Sequence, residues 1–160
     1  PMAGFLRAVS ELRASGRKLK LKFVGSMPDD FMEQIKSSLK YPEIEYIPYC
    51  DHTLAIKHMM DSSLLLLVIP DHLSSKSIIT GKLFEYLASG KPVLYIGPTD
   101  GDAAQILARC GSHGLYGYND IELIGSYIER NLQGKAPAPS GHHLEYSRRT
   151  LTSKLGGLIG

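Results

Sequence analysis

The sequence has no tryptophan, only two cysteines in 160 residues, and little excess charge of either sign. Cys50 and Cys110 lie far apart with no CxxC or Cys–His spacing around them, which argues against a disulfide framework or a zinc site and suits a reducing compartment. A formal net charge of +2 is too mild to direct the chain to nucleic acid. Its basic clusters are short: Arg17-Lys18-Leu19-Lys20, beside a strand, and Arg148-Arg149. No run approaches the ~18 apolar residues of a membrane span, since "LLLLVIP" is only a strand's length. No signal-peptide pattern opens the chain. The GxSxG elbow, the GxxxxGK[ST] loop and the GxGxxG fingerprint are all missing, so serine-hydrolase, P-loop and dinucleotide chemistry have no support. None of the six histidines, His52, His58, His72, His113, His142 and His143, shows metal-ligand spacing, and no metal or cofactor is expected.

What is present is a globular composition: 43% hydrophobic and 21% charged residues can fill one core of ordinary domain size. Phe5, Leu6, Val9 and Leu12 fall on one face of a helix that Gly16 stops. "KLKLKFVG" alternates as a half-buried strand. Asp29 and Asp30 open a helix with the stripe Phe31, Ile35 and Leu39. "IEYIP" is a short strand, and Asp51 caps a helix to Met60 with Leu54, Ala55, His58 and Met59 inward. "SLLLLVIP" and "KPVLYIGP" are apolar on both faces, as central parallel strands are. Between them a polar loop leads into a helix over Gly81 to Ser89, with Phe84, Leu87 and Ala88 toward the core. "GDAAQILARC", "HGLYGY" and a helix capped by Asp120 follow. "QGKAPAPSGHH" reads as a linker, and Leu151, Leu155 and Leu158 align on a last helix. The expected division is a domain over 1–134, a linker over 135–143 and a closing helix over 144–160. Strict strand–helix alternation predicts an α/β, Rossmann-like, doubly wound parallel sheet with helices on both faces. Ligands of such sheets bind beyond the carboxyl ends of the strands.

Several residues cluster at those ends. The helix opening at Gly81 offers free N–H groups and a positive dipole end to an anion, with Lys82 adding a charge. Glu85 lies one turn further, off the apolar stripe. Its two oxygens match two vicinal hydroxyls, as on a ribose. The plain alternative is a loop glycine, a solvent lysine and an exposed Lys82–Glu85 pair worth a few tenths of a kcal/mol. "GPTDGDAAQIL" offers Gly97, Gly101 and Asp102 before another helix, either a second phosphate or sugar loop or a turn with a capped helix.

At "TGKLFEYLASGKPVLYIGP..GDAA" the chain resembles the C-terminal half of a GT-B glycosyltransferase of the large retaining group called family 4 or group 1. "KLKLKFVGS", "IEYIPYCDHTLAIKHMMDSSLLLLVIP" and "LEYSRRTLTSKL" keep the order of that family's second strand, its strand–helix–strand passage and its closing helix. The resemblance implies a donor-binding domain for a nucleotide-diphosphate sugar (UDP-, GDP- or ADP-linked). Glu85 would hold the ribose, and Thr80, Gly81 and Lys82 the diphosphate. Gly25 and Ser26 would lie beside the diphosphate, and Ile47, Pro48 and Tyr49 beside the base. Ser77 stands where many members carry a second glutamate, eight residues before the first, against the donor sugar.

The same resemblance implies a first strand and an acceptor-binding N-terminal half upstream of this sequence, and hence a fragment inactive alone. The whole enzyme would transfer a hexose to a glycan or lipid-linked acceptor, as in bacterial polysaccharide synthesis. It would work in the cytoplasm, at or near the inner membrane face, with peripheral association possible for the full chain and no nucleic-acid partner. Two rivals share the architecture: a non-catalytic flavodoxin-like binding or regulatory module, and half of a nucleotide-sugar epimerase. Asp71, alone after "LLLLVIP", weighs against a response-regulator site.

Overall fold

The computed structural model describes residues 2–39 and 44–135. Helices and strands alternate: α1 Ala3–Ala14, β1 Leu21–Val24, α2 Asp29–Ser38, β2 Ile44–Ile47, α3 His52–Met60, β3 Leu65–Val68, α4 Gly81–Ser89, β4 Val93–Ile96, α5 Asp102–Arg109, β5 Leu115–Tyr116 and α6 Ile121–Leu132. A 3₁₀ turn over Ser75–Ser77 precedes α4. The expected linker beyond Lys135 and the closing helix over 144–160 lie outside the described residues.

Every strand pairing is parallel, β1 with β2 and β4 with both β3 and β5. The period of two along β4 splits its side chains between two cores. Leu94 and Ile96 meet Phe5, Val9, Ile35 and Ile124 of α1, α2 and α6. Val93 and Tyr95 meet Leu83, Leu87, Ala104 and Leu107 of α4 and α5. Both layers press closely on the strands. A Cβ on Gly114 would stand 2.4 Å from the Val93 carbonyl oxygen and 2.5 Å from the Tyr127 ring, while the Tyr127 hydroxyl donates to that same carbonyl at 3.2 Å.

The structure departs from the sequence reading in five places. The strands form two parallel sheets, β1–β2 and β3–β4–β5, rather than one. Both sheets nevertheless share the core under α1, α2 and α6. α3 has no buried residue: Leu54 is 38% exposed, because the helix covers a sheet face that carries Lys22, whose Nζ lies 3.2 Å from His58 Nδ1. In α4 the fully buried position is Leu83, and Ala88 is exposed, so the stripe turns one residue back from the expected one. Asp120 does not cap α6 from its side chain but accepts the Gly117 N–H at 2.7 Å, closing the preceding turn. β3 is buried on one face, through Leu65 and Leu67, and half-buried on the other. Asp51 does cap α3 as its sequence position predicts, accepting the Leu54 N–H at 2.9 Å.

Candidate functional site

Within each sheet the strands run the same way, so the carboxyl ends of β1 and β2 share one edge and those of β3, β4 and β5 share one. At β1 the chain turns on Gly25, whose φ of +112° is open to glycine and strained for other residues; its N–H donates to the Ile47 carbonyl at 3.0 Å. Ser26 follows, exposed. At the end of β2, Pro48 and Tyr49 are exposed, Tyr49 by 86%. At β3 the chain enters the loop that leads to α4.

That loop is held from within. The Ser75 side chain is 4% exposed. Its hydroxyl donates to the Pro70 carbonyl and accepts the His72 N–H at 2.6 Å. Tyr118 donates to the same Pro70 carbonyl at 3.0 Å from the far side of the edge. Lys76 Nζ meets Asp100 Oδ2 at 2.5 Å and ties the loop to the turn after β4, and this bond, with the lysine charge, holds the Asp100 carboxyl below its ordinary value. Gly101 packs so tightly here that a Cβ would stand 3.0 Å from the Lys76 carbonyl oxygen. The Tyr95 hydroxyl donates to Pro98 at 3.0 Å, and burial pushes its pKa up to about 12. Ser75, Asp100 and Tyr118 were not singled out in the sequence. A serine in a polar loop and a tyrosine forty residues downstream carry no spacing signal that would join them.

At the mouth of α4, Thr80 occupies the N-cap position with extended backbone, yet its side chain makes no capping bond. Its Oγ1 is buried and has no hydrogen-bond partner. The Thr80 carbonyl accepts from Leu83 at 3.1 Å, and among the described residues the Gly81 and Lys82 N–H groups have no acceptor. A Cβ on Gly81 would meet nothing within 4 Å, so the approach to these N–H groups is open. Lys82 and Glu85 are both exposed, and among the described residues no ion pair joins them. Glu85 stands one turn, about 6 Å along the axis, from Gly81 and on the same face. Ser77, exposed at the end of the 3₁₀ turn, lies three residues before Thr80.

The structure thus gathers Ser77, Thr80, Gly81, Lys82 and Glu85 at one helix mouth. Gly25, Ser26, Pro48 and Tyr49 sit at the carboxyl ends of β1 and β2 on the other sheet, and among the described residues no hydrogen bond joins the two groups. Two concavities lie elsewhere. One of about 520 Å³ runs between α1 and α2, lined by Leu6, Phe31 and Ile35. One of about 20 Å³ lies at the opposite edge, under Pro92 and Gly111. Among the described residues there is no cluster of His, Cys, Asp and Glu able to hold a metal ion, and no helix long and apolar enough to cross a membrane.

No protein-family model matches the chain, and no curated protein does. Among solved structures the chain is similar to AviGT4, a glycosyltransferase involved in avilamycin A biosynthesis, with a TM-score of 0.57 and 18% identity. The match covers 100% of this chain and 49% of that one, so the chain spans about half the length of this neighbour. At this identity the likeness concerns the fold alone: a Rossmann-like α/β arrangement of parallel strands flanked by helices.

Proposed function

We propose that this chain is the donor-binding half of a glycosyltransferase and that the mouth of α4 receives a nucleotide-diphosphate sugar. One observation carries the reading. Thr80 leaves its cap unmade, and among the described residues the N–H groups of Gly81 and Lys82, the Lys82 ammonium and the Glu85 carboxylate have no hydrogen-bond or ion-pair partner. α1, α2, α5 and α6 also begin without a side-chain cap, so what marks this mouth is the buried, unpartnered Thr80 hydroxyl beside an exposed Lys82 and Glu85 that do not pair. Here a diphosphate would take the free N–H groups and the Lys82 charge, where the helix dipole favours an anion. The carboxylate one turn further would accept two ribose hydroxyls.

In the transfer step the donor's glycosidic C–O bond to the diphosphate breaks, and negative charge gathers on the leaving phosphate oxygens. Hydrogen-bond donors already aimed at those oxygens stabilise the transition state without reorganising. Lys82 and the α4 N–H groups are suited to that role. Ser77, short and uncharged, would leave room beside the sugar without supplying an acid. Gly25 and Ser26, with Pro48 and Tyr49, would close the site from the β1–β2 side, the exposed Tyr49 ring offering a surface for the base. The acceptor and the remainder of the cleft belong to the rest of a longer enzyme. Its donor sugar, nucleobase and cellular location follow from that whole protein.

The test is donor affinity in the full-length enzyme, screened against UDP, GDP, ADP and their sugars. Glu85→Ala should weaken the preferred donor by about 1–3 kcal/mol, the range for losing hydrogen bonds to a charged group. Lys82→Met should lower turnover more than affinity if the lysine acts on the leaving group. Calorimetry that finds donor affinity unchanged in Glu85→Ala removes the ribose assignment.

A further inference from the structure

Among the described residues the buried set is hydrophobic or glycine with one exception, Ser75. A buried hydroxyl opposes folding unless its hydrogen bonds are made. Here they are. It donates to the Pro70 carbonyl and accepts the His72 N–H at 2.6 Å. The Ser75 N–H donates to the His72 carbonyl at 3.0 Å, and the Ser75 carbonyl accepts from Ile78 at 3.2 Å. One residue thus ties the start of the loop to its end. No apolar anchor holds the stretch between. Asp71 to Ser74, Lys76 and Ser77 are exposed, Leu73 by 102%, and the next side chain packed in a core is Ile78. The Lys76–Asp100 pair is exposed on both sides, a contact of small net worth. The course of residues 71–77 therefore depends on hydrogen bonds, and the shielded ones centre on Ser75.

A second donor reaches the same acceptor. Tyr118 donates to the Pro70 carbonyl at 3.0 Å, so both lone pairs of that oxygen are used. Tyr118 lies in the turn between β5 and α6 and packs against the core under α1, α2 and α6, whereas Ile78 packs against the core under α4 and α5. The backbone of Tyr118 is wedged in place. A Cβ on Gly4 of α1 would stand 2.1 Å from its carbonyl oxygen, and the Gly117 N–H closes the turn onto Asp120 at 2.7 Å. The Pro70 carbonyl is therefore a junction between the two helical layers, at the carboxyl end of β3. From it the chain runs through Ser75 to Thr80 and the α4 mouth.

We infer that Ser75 is a positioning residue for the α4 mouth and Tyr118 its partner. Their two bonds to the Pro70 carbonyl set the course of residues 71–80, so that Thr80 and the Gly81 and Lys82 N–H groups are in place before an anion arrives. Neither hydroxyl is assigned to the ligand; both act through Pro70. Donors that stabilise developing charge must be fixed in advance, and a loop ordered beforehand spares the ligand the cost of ordering it. Where only a fraction of molecules holds the loop in place, the apparent affinity falls by that fraction. The strap rests on the hydrogen bonds; its bearing on a nucleotide diphosphate rests on the donor-binding reading.

The test uses the full-length enzyme with UDP, GDP and ADP as probes, and follows the one that binds the wild type most tightly by stopped-flow. Ser75→Ala should raise its Kd about tenfold and Tyr118→Phe about threefold, through the competent fraction. Both losses should appear as slower association with an unchanged dissociation rate, because positioning acts before binding. Glu85→Ala, which deletes a contact, should instead raise the dissociation rate. Val9→Ala, a truncation of a buried α1 side chain, should lower the urea midpoint yet leave Kd within about twofold, which separates positioning from general destabilisation. An unchanged Kd in both Ser75→Ala and Tyr118→Phe, or a loss carried by dissociation, overturns the inference. Tyr118→Phe removes only a hydroxyl and decides the matter if Ser75→Ala does not fold. Amide exchange at Ser77 and Ile78 is read in the same proteins without nucleotide. It should quicken about tenfold in Ser75→Ala and measurably in Tyr118→Phe; rates equal to the wild type in both overturn the inference. Quickened exchange in a protein that binds none of the probes retains the positioning of the loop and removes the donor reading, and binding with unchanged exchange does the reverse.

Discussion

In β3–β4–β5, Leu94, Tyr95 and Ile96 are wholly buried between two helical layers, whereas every residue of β1 and β2 is half-buried. Both regions are built from short apolar or alternating runs, so composition does not separate them. What separates them is the second layer. α4 and α5 press Leu83, Leu87 and Leu107 onto one face of β3–β4–β5, while α3 brings no buried side chain to β1–β2. The region that holds the α4 mouth is therefore the rigid one, as a site relying on fixed N–H groups requires. The region with Gly25 and Tyr49 has a packed core on one face only.

The largest effect should come from breaking the buried side. Leu94→Ala removes a wholly buried side chain from the core shared by α1 and α6, and should cost about 3–5 kcal/mol by urea unfolding. Leu21→Ala, in half-buried β1, should cost about 1 kcal/mol, because part of its transfer energy is not gained in the native state. Equal costs would show that β1 is as firmly packed as β4 and would dissolve the contrast.

Tyr95 sharpens the comparison from inside the site. Its buried hydroxyl supports the Pro98 carbonyl beneath the turn to α5. Tyr95→Phe should cost about 1 kcal/mol, the net worth of one hydrogen bond. The alkaline limb gives a second readout. The folded-state pKa is raised from 10.0 to about 12 by burial. The folded form thus holds a proton that the unfolded chain has released, and stability is present below pH 10 and lost as pH rises toward 12. The Phe variant should lose less across that window. An identical alkaline slope in both proteins would take Tyr95 out of the titration.

These contrasts mark where the sequence was readable. Helix and strand periods located each described element, and the run from Gly81 to Ser89 was placed to the residue. Local chemistry also located the Asp51 cap. What failed was non-local. Ser75 and Tyr118 meet on the Pro70 carbonyl from distant parts of the chain, and no spacing rule joins them. The same holds for α3, whose apolar residues read as an inner face until the sheet beneath it proved to carry Lys22. Asp120 shows a nearer failure, since a good N-cap residue was captured by the turn before the helix. The site's proposed chemistry was legible because it sits on one short segment, from Ser77 to Glu85. The expected topology placed Gly25, Ser26, Pro48 and Tyr49 at strand ends, but their parts in a site, like those of Ser77 and Thr80, came only from the resemblance.

The smallest effects belong to two surface ion pairs, one in each region. Lys76 and Asp100 join two loops at 2.5 Å, and Lys20 and Glu45 join the entry of β1 to β2 at 2.7 Å. In each the lysine's hydrogen bond is the main cause that holds the carboxyl below its ordinary value, 3.8 for Asp100 and 4.5 for Glu45. A lowered folded-state pKa gives stability that is present above those values and lost as pH falls through the folded one. Lys76, Asp100 and Lys20 are exposed, and Glu45 is exposed by a third though its Oε2 is covered, so the loss is small and salt weakens it further. Their consequences differ by place. Lys76→Met should leave the urea midpoint nearly unchanged but speed amide exchange at Ser77 and Ile78, whose N–H groups close the 3₁₀ turn onto Ser74 and Ser75. Lys20→Met should leave those two amides alone. If Lys76→Met does not move them either, the buried Ser75 hydroxyl holds the loop unaided, and the approach to α4 is more rigid than its exposed surface suggests.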